Sequence, residues 1–269
     1  MRAAPATAED GVLPAAGADT PTTPSAPASA RPALSTRLGF MAAAVIVRPA
    51  MRLLVRQRWE HVERIPRSGA ILAVNHISEI DPVSIAHMVY NRGMLPTFLA
   101  KSELWDVPVL GTVLDVLGMV PVQRVGDGGR SLEAARGVLD RGGAVIVYPE
   151  GTVTRDPDGW PMAGRSGAVR LALQTGAPLV PVGQWGIHQL LPYRARRLAV
   201  WPRKTARVLV GHPVDLSDLR QSAGTASALR EGTDRMMDAI TDLVGHLRGQ
   251  SAPERRFDPR GRGAAEVRA

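Results

Sequence analysis

The 269-residue chain contains no cysteine. That excludes disulfides, thiolate metal sites and any cysteinyl covalent intermediate, and leaves the redox compartment open. Aromatic residues make up 4% of the chain. The arginines are not interleaved with them, which argues against a nucleic-acid surface. A G-x-S-x-G nucleophile elbow is also missing, since Ser166 in Gly164-Arg165-Ser166-Gly167 lacks that spacing; serine-hydrolase chemistry has no obvious seat. Long apolar runs are absent as well. The ten residues 38–47 are about half of what a bilayer crossing needs, and Arg48-Pro49 interrupts them. No internal repeat is visible.

What is present suffices for a folded domain. Hydrophobic residues reach 45%, and the formal charge of +8 is carried almost entirely by arginine. A basic balance suits phosphates, anionic lipid or nucleic acid, and composition does not choose among them. Residues 1–35 are rich in Ala, Pro, Thr and Ser without apolar periodicity and read as a disordered tail. They do not read as a secretory signal, because the apolar run follows the small residues instead of preceding them. Residues 251–269 read as a second, basic flexible tail. Between residues 36 and 59, apolar positions mix with Arg48, Arg52, Arg56 and Arg58 and end at Trp59. This is the composition of a helix lying in a membrane interface, or of one packed on the core.

Residues 60–250 read as one domain of alternating strands and helices. The apolar runs at 70–74, 96–100, 118–124, 144–148, 178–182 and 208–210 have strand length. Helical spacing covers 82–90, 109–117, 131–141, 166–175 and 227–247. The alternation predicts an α/β fold with a mixed, mainly parallel central sheet flanked by helices.

Chemistry concentrates just after these strands. Asn75-His76-Ile77-Ser78-Glu79-Ile80-Asp81 follows the run 70–74 and precedes Pro82. Residues five apart on a straight helix sit on different faces, so pairing His76 with Asp81 requires a turn between them. Pro82 favours that turn and places Asp81 as N-cap of the following helix. The pair then reads as a general base and the carboxylate that fixes its tautomer. The bland alternative is a helix cap beside a loop histidine. Glu150-Gly151-Thr152 follows another buried strand, where a glycine lets backbone amides approach a ligand. Arg124 leaves a third strand, and its planar fork suits a phosphate. Arg155 and Arg165 lie nearby in sequence.

These residues carry a resemblance. Asn75-His76-x-Ser78-x-x-Asp81 resembles the NHxSxxD block of the glycerolipid acyltransferases, above all the 1-acylglycerol-3-phosphate acyltransferases. Lys101-x-Glu103-Leu104 with Pro108, Gly111, Gly118 and Arg124 resembles that family's second block. Tyr148-Pro149-Glu150-Gly151-Thr152 resembles the third, and Pro178-Leu179-Val180-Pro181-Val182 the fourth. The blocks stand in the family's order across residues 70–183.

The resemblance implies acyl transfer from acyl-CoA or acyl-carrier protein to a lysophospholipid hydroxyl, most of all lysophosphatidic acid, with no cofactor. It implies His76 as base and Asp81 as its orienter. Arg124, Glu150 and Gly151 are implied on the acceptor's phosphate and glycerol with Thr152 supporting, Lys101 in substrate binding, and Pro181 toward the acyl end. The implied site of action is the cytoplasmic face of a membrane, with the protein peripheral or monotopic. One departure stands out: Val153 occupies a position where the family's third block often carries a basic residue. Arg155 and Arg165 are the candidates to replace it.

Overall fold

The computed structural model describes residues 33–122, 128–195 and 197–259. Arg124 and most of both expected tails lie outside the described residues. The elements run α1 Leu34–Leu54, β1 Val55–Glu60, β2 Ala70–Val74, α2 Asp81–Asn91, β3 Pro96–Lys101, α3 Leu110–Val116 and β4 Val120–Val122. They continue with α4 Gly128–Asp140, β5 Ala144–Val147, α5 Gly167–Thr175, β6 Leu179–Trp185, β7 Lys204–Val210 and α6 Ala226–Arg248, joined in places by short 3-10 turns.

Seven strands form a sheet in the order β1-β7-β6-β2-β5-β3-β4. All neighbours are parallel except β6 and β7, which pair antiparallel, so β1 and β7 run against the other five. This is the mixed, mainly parallel sheet that the alternation predicts.

The apolar run Ala70-Ile71-Leu72-Ala73-Val74 is buried at every position because both faces of β2 are covered. Its period of two divides the core. Ile71 and Ala73 join Val145 and Leu179 under α5 and α6. Ala70, Leu72 and Val74 join Ile146, Val180 and Val182 under Ile85, Met88 and Val89 of α2. Helices thus clamp the middle strands and hold their carboxyl ends in one fixed row.

Two local expectations are corrected. Residues 36–59 are not one helical segment, since α1 ends at Leu54 and residues 55–60 form an edge strand paired with β7. The reason is tertiary: Val55 is buried and the main chain finds its partners along residues 204–209, which overrides the helical reading of an Arg-rich stretch. Asp81 is not the N-cap either. It is the first helical residue, Ile80 holds the cap position without a side-chain bond, and the Asp81 carboxylate turns back to the preceding loop.

α1 is amphipathic across its length. Phe40 and Met51 are buried, and Phe40 stacks on Tyr90. On the opposite side Leu34, Leu38, Met41 and Val45 are exposed, Val45 by 74%. At about 100° per residue these four fall on one stripe. Among the described residues no helix is long and apolar enough to cross a membrane.

Candidate active site

Three neighbouring parallel strands deliver the site. β2 ends into His76, β5 into Glu150-Gly151, and β3 at Lys101, with β5 between β2 and β3. The row lies outside the carboxyl ends of the strands, where open α/β sheets place ligands.

The turn between β2 and α2 closes as the spacing requires. His76 Nδ1 lies 2.9 Å from Asp81 Oδ2. That same oxygen accepts the amides of Ile77 at 2.6 Å and Ser78 at 2.8 Å. Asp81 is completely buried, and burial pushes its carboxyl up from the ordinary range. The hydrogen bonds from His76, Ser78 and Ile77 oppose that rise by favouring the anion. Three donors converging on one oxygen describe a carboxylate, so Nδ1 carries the imidazole proton and Nε2 keeps the lone pair. The His76 side chain remains 15% exposed.

The third-block loop holds His76 by its main chain. His76 N–H donates to Glu150 Oε1 at 2.8 Å, and Thr154 N–H donates to the His76 carbonyl at 2.7 Å. Glu150 Oε2 accepts the Met162 amide at 3.0 Å. Burial pushes the Glu150 carboxyl up to about 8, with the His76 and Met162 amides opposing. Each oxygen of Glu150, a residue expected among the acceptor's ligands, accepts a backbone amide, and through them Glu150 braces the histidine loop. The imidazole itself lies on the Tyr148 ring, centroids 4.2 Å apart and planes within 22°.

A second brace comes from β6. Asn75 Nδ2 donates to the Gln184 carbonyl, Gln184 N–H donates to Asn75 Oδ1, and Gln184 Nε2 donates to the Asn75 carbonyl. Ser78 Oγ donates to the Leu191 carbonyl at 2.6 Å, anchoring the turn from another side. Asn75, Ser78 and Tyr148 were visible in the motif blocks. Gln184, 109 residues from Asn75, carried no sequence signal.

The remaining predicted residues are placed as follows. Gly151 has φ +72°, and a Cβ there would lie 3.1 Å from Arg165 Nε. Arg165, rather than Arg155, therefore sits against the glycine of the third block. Thr152 and Lys101 are half-buried beside the same edge. Pro181 is buried inside the sheet opposite Ala73, and its carbonyl accepts the Gly211 amide. A cleft of about 690 Å³ opens beside Ile77 and Thr154, bounded by Arg155, Trp185, His188 and Tyr193. His76 is not among its lining residues.

A model described as "Acyltransferase" matches residues 56–185. The chain is similar to a 1-acyl-sn-glycerol-3-phosphate acyltransferase of Bacillus subtilis, 28% identical over 191 residues, covering 69% of this chain and 88% of that protein. It is also similar to the chloroplastic 1-acyl-sn-glycerol-3-phosphate acyltransferase LPAT1 of Arabidopsis thaliana, 26% identical over 159 residues, covering 58% of this chain and 42% of that one. A relative from Borreliella burgdorferi with the same description is 31% identical over 128 residues, covering 45% and 47%. Against the plant chloroplast relatives from Arabidopsis and Brassica napus the chain spans less than half of their length, 42% and 43%. Among solved structures, the LPA acyltransferase PlsC of Thermotoga maritima shares the fold with a TM-score of 0.59 at 24% identity, covering 81% of this chain and 83% of that one.

Proposed function

Because this chain belongs to the acyltransferase family, we propose that it moves a fatty acyl group from a thioester, acyl-CoA or acyl-carrier protein, to the free hydroxyl of lysophosphatidic acid, giving phosphatidic acid. The observation that carries this reading is the His76–Asp81 pair, 2.9 Å apart at the end of a fully buried strand. The names of the relatives support the choice of acceptor.

The step follows from the pair's geometry. His76 Nε2 takes the proton of the acceptor hydroxyl as its oxygen attacks the thioester carbonyl. Asp81 stabilises the resulting imidazolium through Nδ1–H and prevents the ring from turning. The tetrahedral intermediate collapses with loss of thiolate, which recovers the proton from Nε2. No covalent acyl-enzyme and no cofactor enter this scheme. Arg165 against Gly151, together with Lys101 at the neighbouring strand end, offers cations to the acceptor's phosphate on one side of His76, and Arg124 is assigned to the same task from its sequence position. Pro181 keeps its assignment toward the acyl end through the wall of the sheet.

The proposal places this chemistry at a membrane surface, with the protein peripheral or monotopic on the cytoplasmic face. The exposed stripe Leu34, Leu38, Met41 and Val45 on α1 supports interfacial contact. The test is an acceptor panel with radiolabelled acyl-CoA: lysophosphatidic acid, glycerol 3-phosphate and other lyso-lipids. Preference for lysophosphatidic acid is expected. Preference for another acceptor would reassign the substrate while keeping the chemistry, and no turnover with any of them would remove the enzyme reading.

A further inference from the structure

A second, smaller cleft of about 410 Å³ lies where α1 passes into β1, away from the His76 loop. Its walls carry Arg52, Arg56, Gln57, Trp59, His87 and Arg203. No carboxylate is among its lining residues. A concentration of guanidinium groups without a counter-charge is costly unless water or an anion compensates it. The nearest carboxylate on β1, that of Glu60, is engaged by Arg207 instead.

The inner wall shows what kind of occupant is missing from the protein's own hydrogen bonding. His87 is 5% exposed, and neither of its ring nitrogens has a partner among the described residues. Trp59 Nε1 and Gln57 Nε2 are buried donors that also meet no acceptor. Trp59 stands edge-on to the His87 ring, with centroids 5.2 Å apart. Buried polar groups are normally satisfied; these atoms lie just behind the cleft wall, and a small turn of their side chains would offer them to an acceptor-rich ligand. Burial, followed by the charges of Arg48 and Arg52, pushes the His87 pKa down.

We propose that this cleft binds a phosphate group, at a site distinct from the one that holds the reacting acceptor. Arg52 presents a forked donor from the rim, with the Arg56 charge close by on the other face of β1 and Arg203 bonded to the Arg52 and Val55 carbonyls, while His87 and Trp59 form the inner wall. The placement suits the head group of an anionic phospholipid. Arg52 follows Val45 by seven residues, and Val45 follows Leu38 by seven, so Arg52 continues the exposed apolar stripe of α1 by two further turns. A stripe seated among acyl chains would bring that rim to the level of the phosphates. Free phosphate or a soluble phosphate ester offers the same chemistry.

The site is tested without reference to acyl transfer, so it stands or falls independently of the proposed reaction. The full-length protein, labelled in its histidine rings, is titrated with inorganic phosphate while the His87 signal is followed by NMR. In parallel it is sedimented with vesicles of phosphatidylcholine alone and of phosphatidylcholine mixed with phosphatidylglycerol. The comparison variants are Arg52→Gln/Arg56→Gln and the control Arg220→Gln/Arg230→Gln, which removes the same charge elsewhere. The expected result is saturable movement of His87 with phosphate, and vesicle binding enhanced by phosphatidylglycerol, both weakened about tenfold or more in the first variant only. A response to phosphate alone assigns the site to a soluble phosphate, and a response to phosphatidylglycerol alone assigns it to the lipid. If neither responds, or if both variants behave alike, the site is overturned.

Discussion

Replacing Asp81 by Asn separates the proposed proton chemistry from the architecture around it. In the native loop a single oxygen, Asp81 Oδ2, receives His76 Nδ1 and the amides of Ile77 and Ser78. Asparagine retains one carbonyl oxygen for the two amides, so the turn can keep its shape. Its amide nitrogen takes the place of Oδ1, which meets no partner among the described residues. The carbonyl oxygen still accepts Nδ1–H, so the tautomer is kept, but no negative charge faces the ring as it becomes an imidazolium. The charged hydrogen bond to the imidazolium is thereby lost, worth about 1.5–3 kcal/mol, or about tenfold to 150-fold in rate. The assay is transfer of radiolabelled acyl groups to lysophosphatidic acid over a range of acceptor concentrations, with thermal unfolding in parallel. A kcat lowered by about tenfold to 150-fold with a nearly unchanged melting temperature is expected. A variant that keeps both its fold and the native kcat would show that Asp81 merely holds the loop.

Other consequences are equally concrete. The Glu150 carboxyl is pushed from 4.5 to about 8 by burial. The folded state therefore holds a proton that the unfolded chain has released, and stability falls as pH rises from about 4.5 to about 8, by up to about 5 kcal/mol, then levels. Glu150→Gln should flatten that slope in thermal scans and leave the His76 or Met162 amide without an acceptor, a loss of about 1–3 kcal/mol near the acid end; an unaltered slope would assign the pH dependence elsewhere. Gly151→Ala forces a side chain into φ +72° and against Arg165, costing about 1–2 kcal/mol, with an acceptor KM raised more than the donor's. An equal rise in both would argue against a phosphate contact at Arg165. Changing Leu38, Met41 and Val45 together to Ser should move the protein from membrane to soluble fraction without lowering Tm, since all three are exposed. Continued pelleting would locate the anchor on another surface.

Much of this architecture was legible in the chain. The runs at 70–74 and 144–147 are short, wholly apolar and followed by polar groups, and they fold as buried neighbouring strands with His76 and Glu150 at their ends. The five-residue spacing of His76 and Asp81 made sense once Pro82 was taken as a break, and the structure closes that turn. The misreadings share one physical origin, long-range pairing. Residues 55–59 look helical because nothing local announces that residues 204–208 will pair beside them. Asp81 looks like a cap because capping is a local rule, whereas its carboxylate is used by amides that precede it. The bracing contact of Glu150 is hidden in the sequence for the same reason. Only the fold brings the backbone of His76, 74 positions earlier, within reach of that carboxylate. The Asn75–Gln184 brace joins two strand ends far apart in sequence and could be read from neither.

The most direct measurement is the rate of acyl transfer to lysophosphatidic acid by His76→Ala beside the native protein, at matched fold as judged by circular dichroism and thermal unfolding. Alanine removes the bond to Asp81 and the stack on Tyr148 but keeps the main-chain bonds to Glu150 and Thr154 and leaves the Ile77 and Ser78 amides on Asp81, so the loop should stay in place. The account predicts transfer reduced by at least about 10²-fold, the contribution of a positioned base. Turnover at an undiminished rate in the folded variant would contradict it.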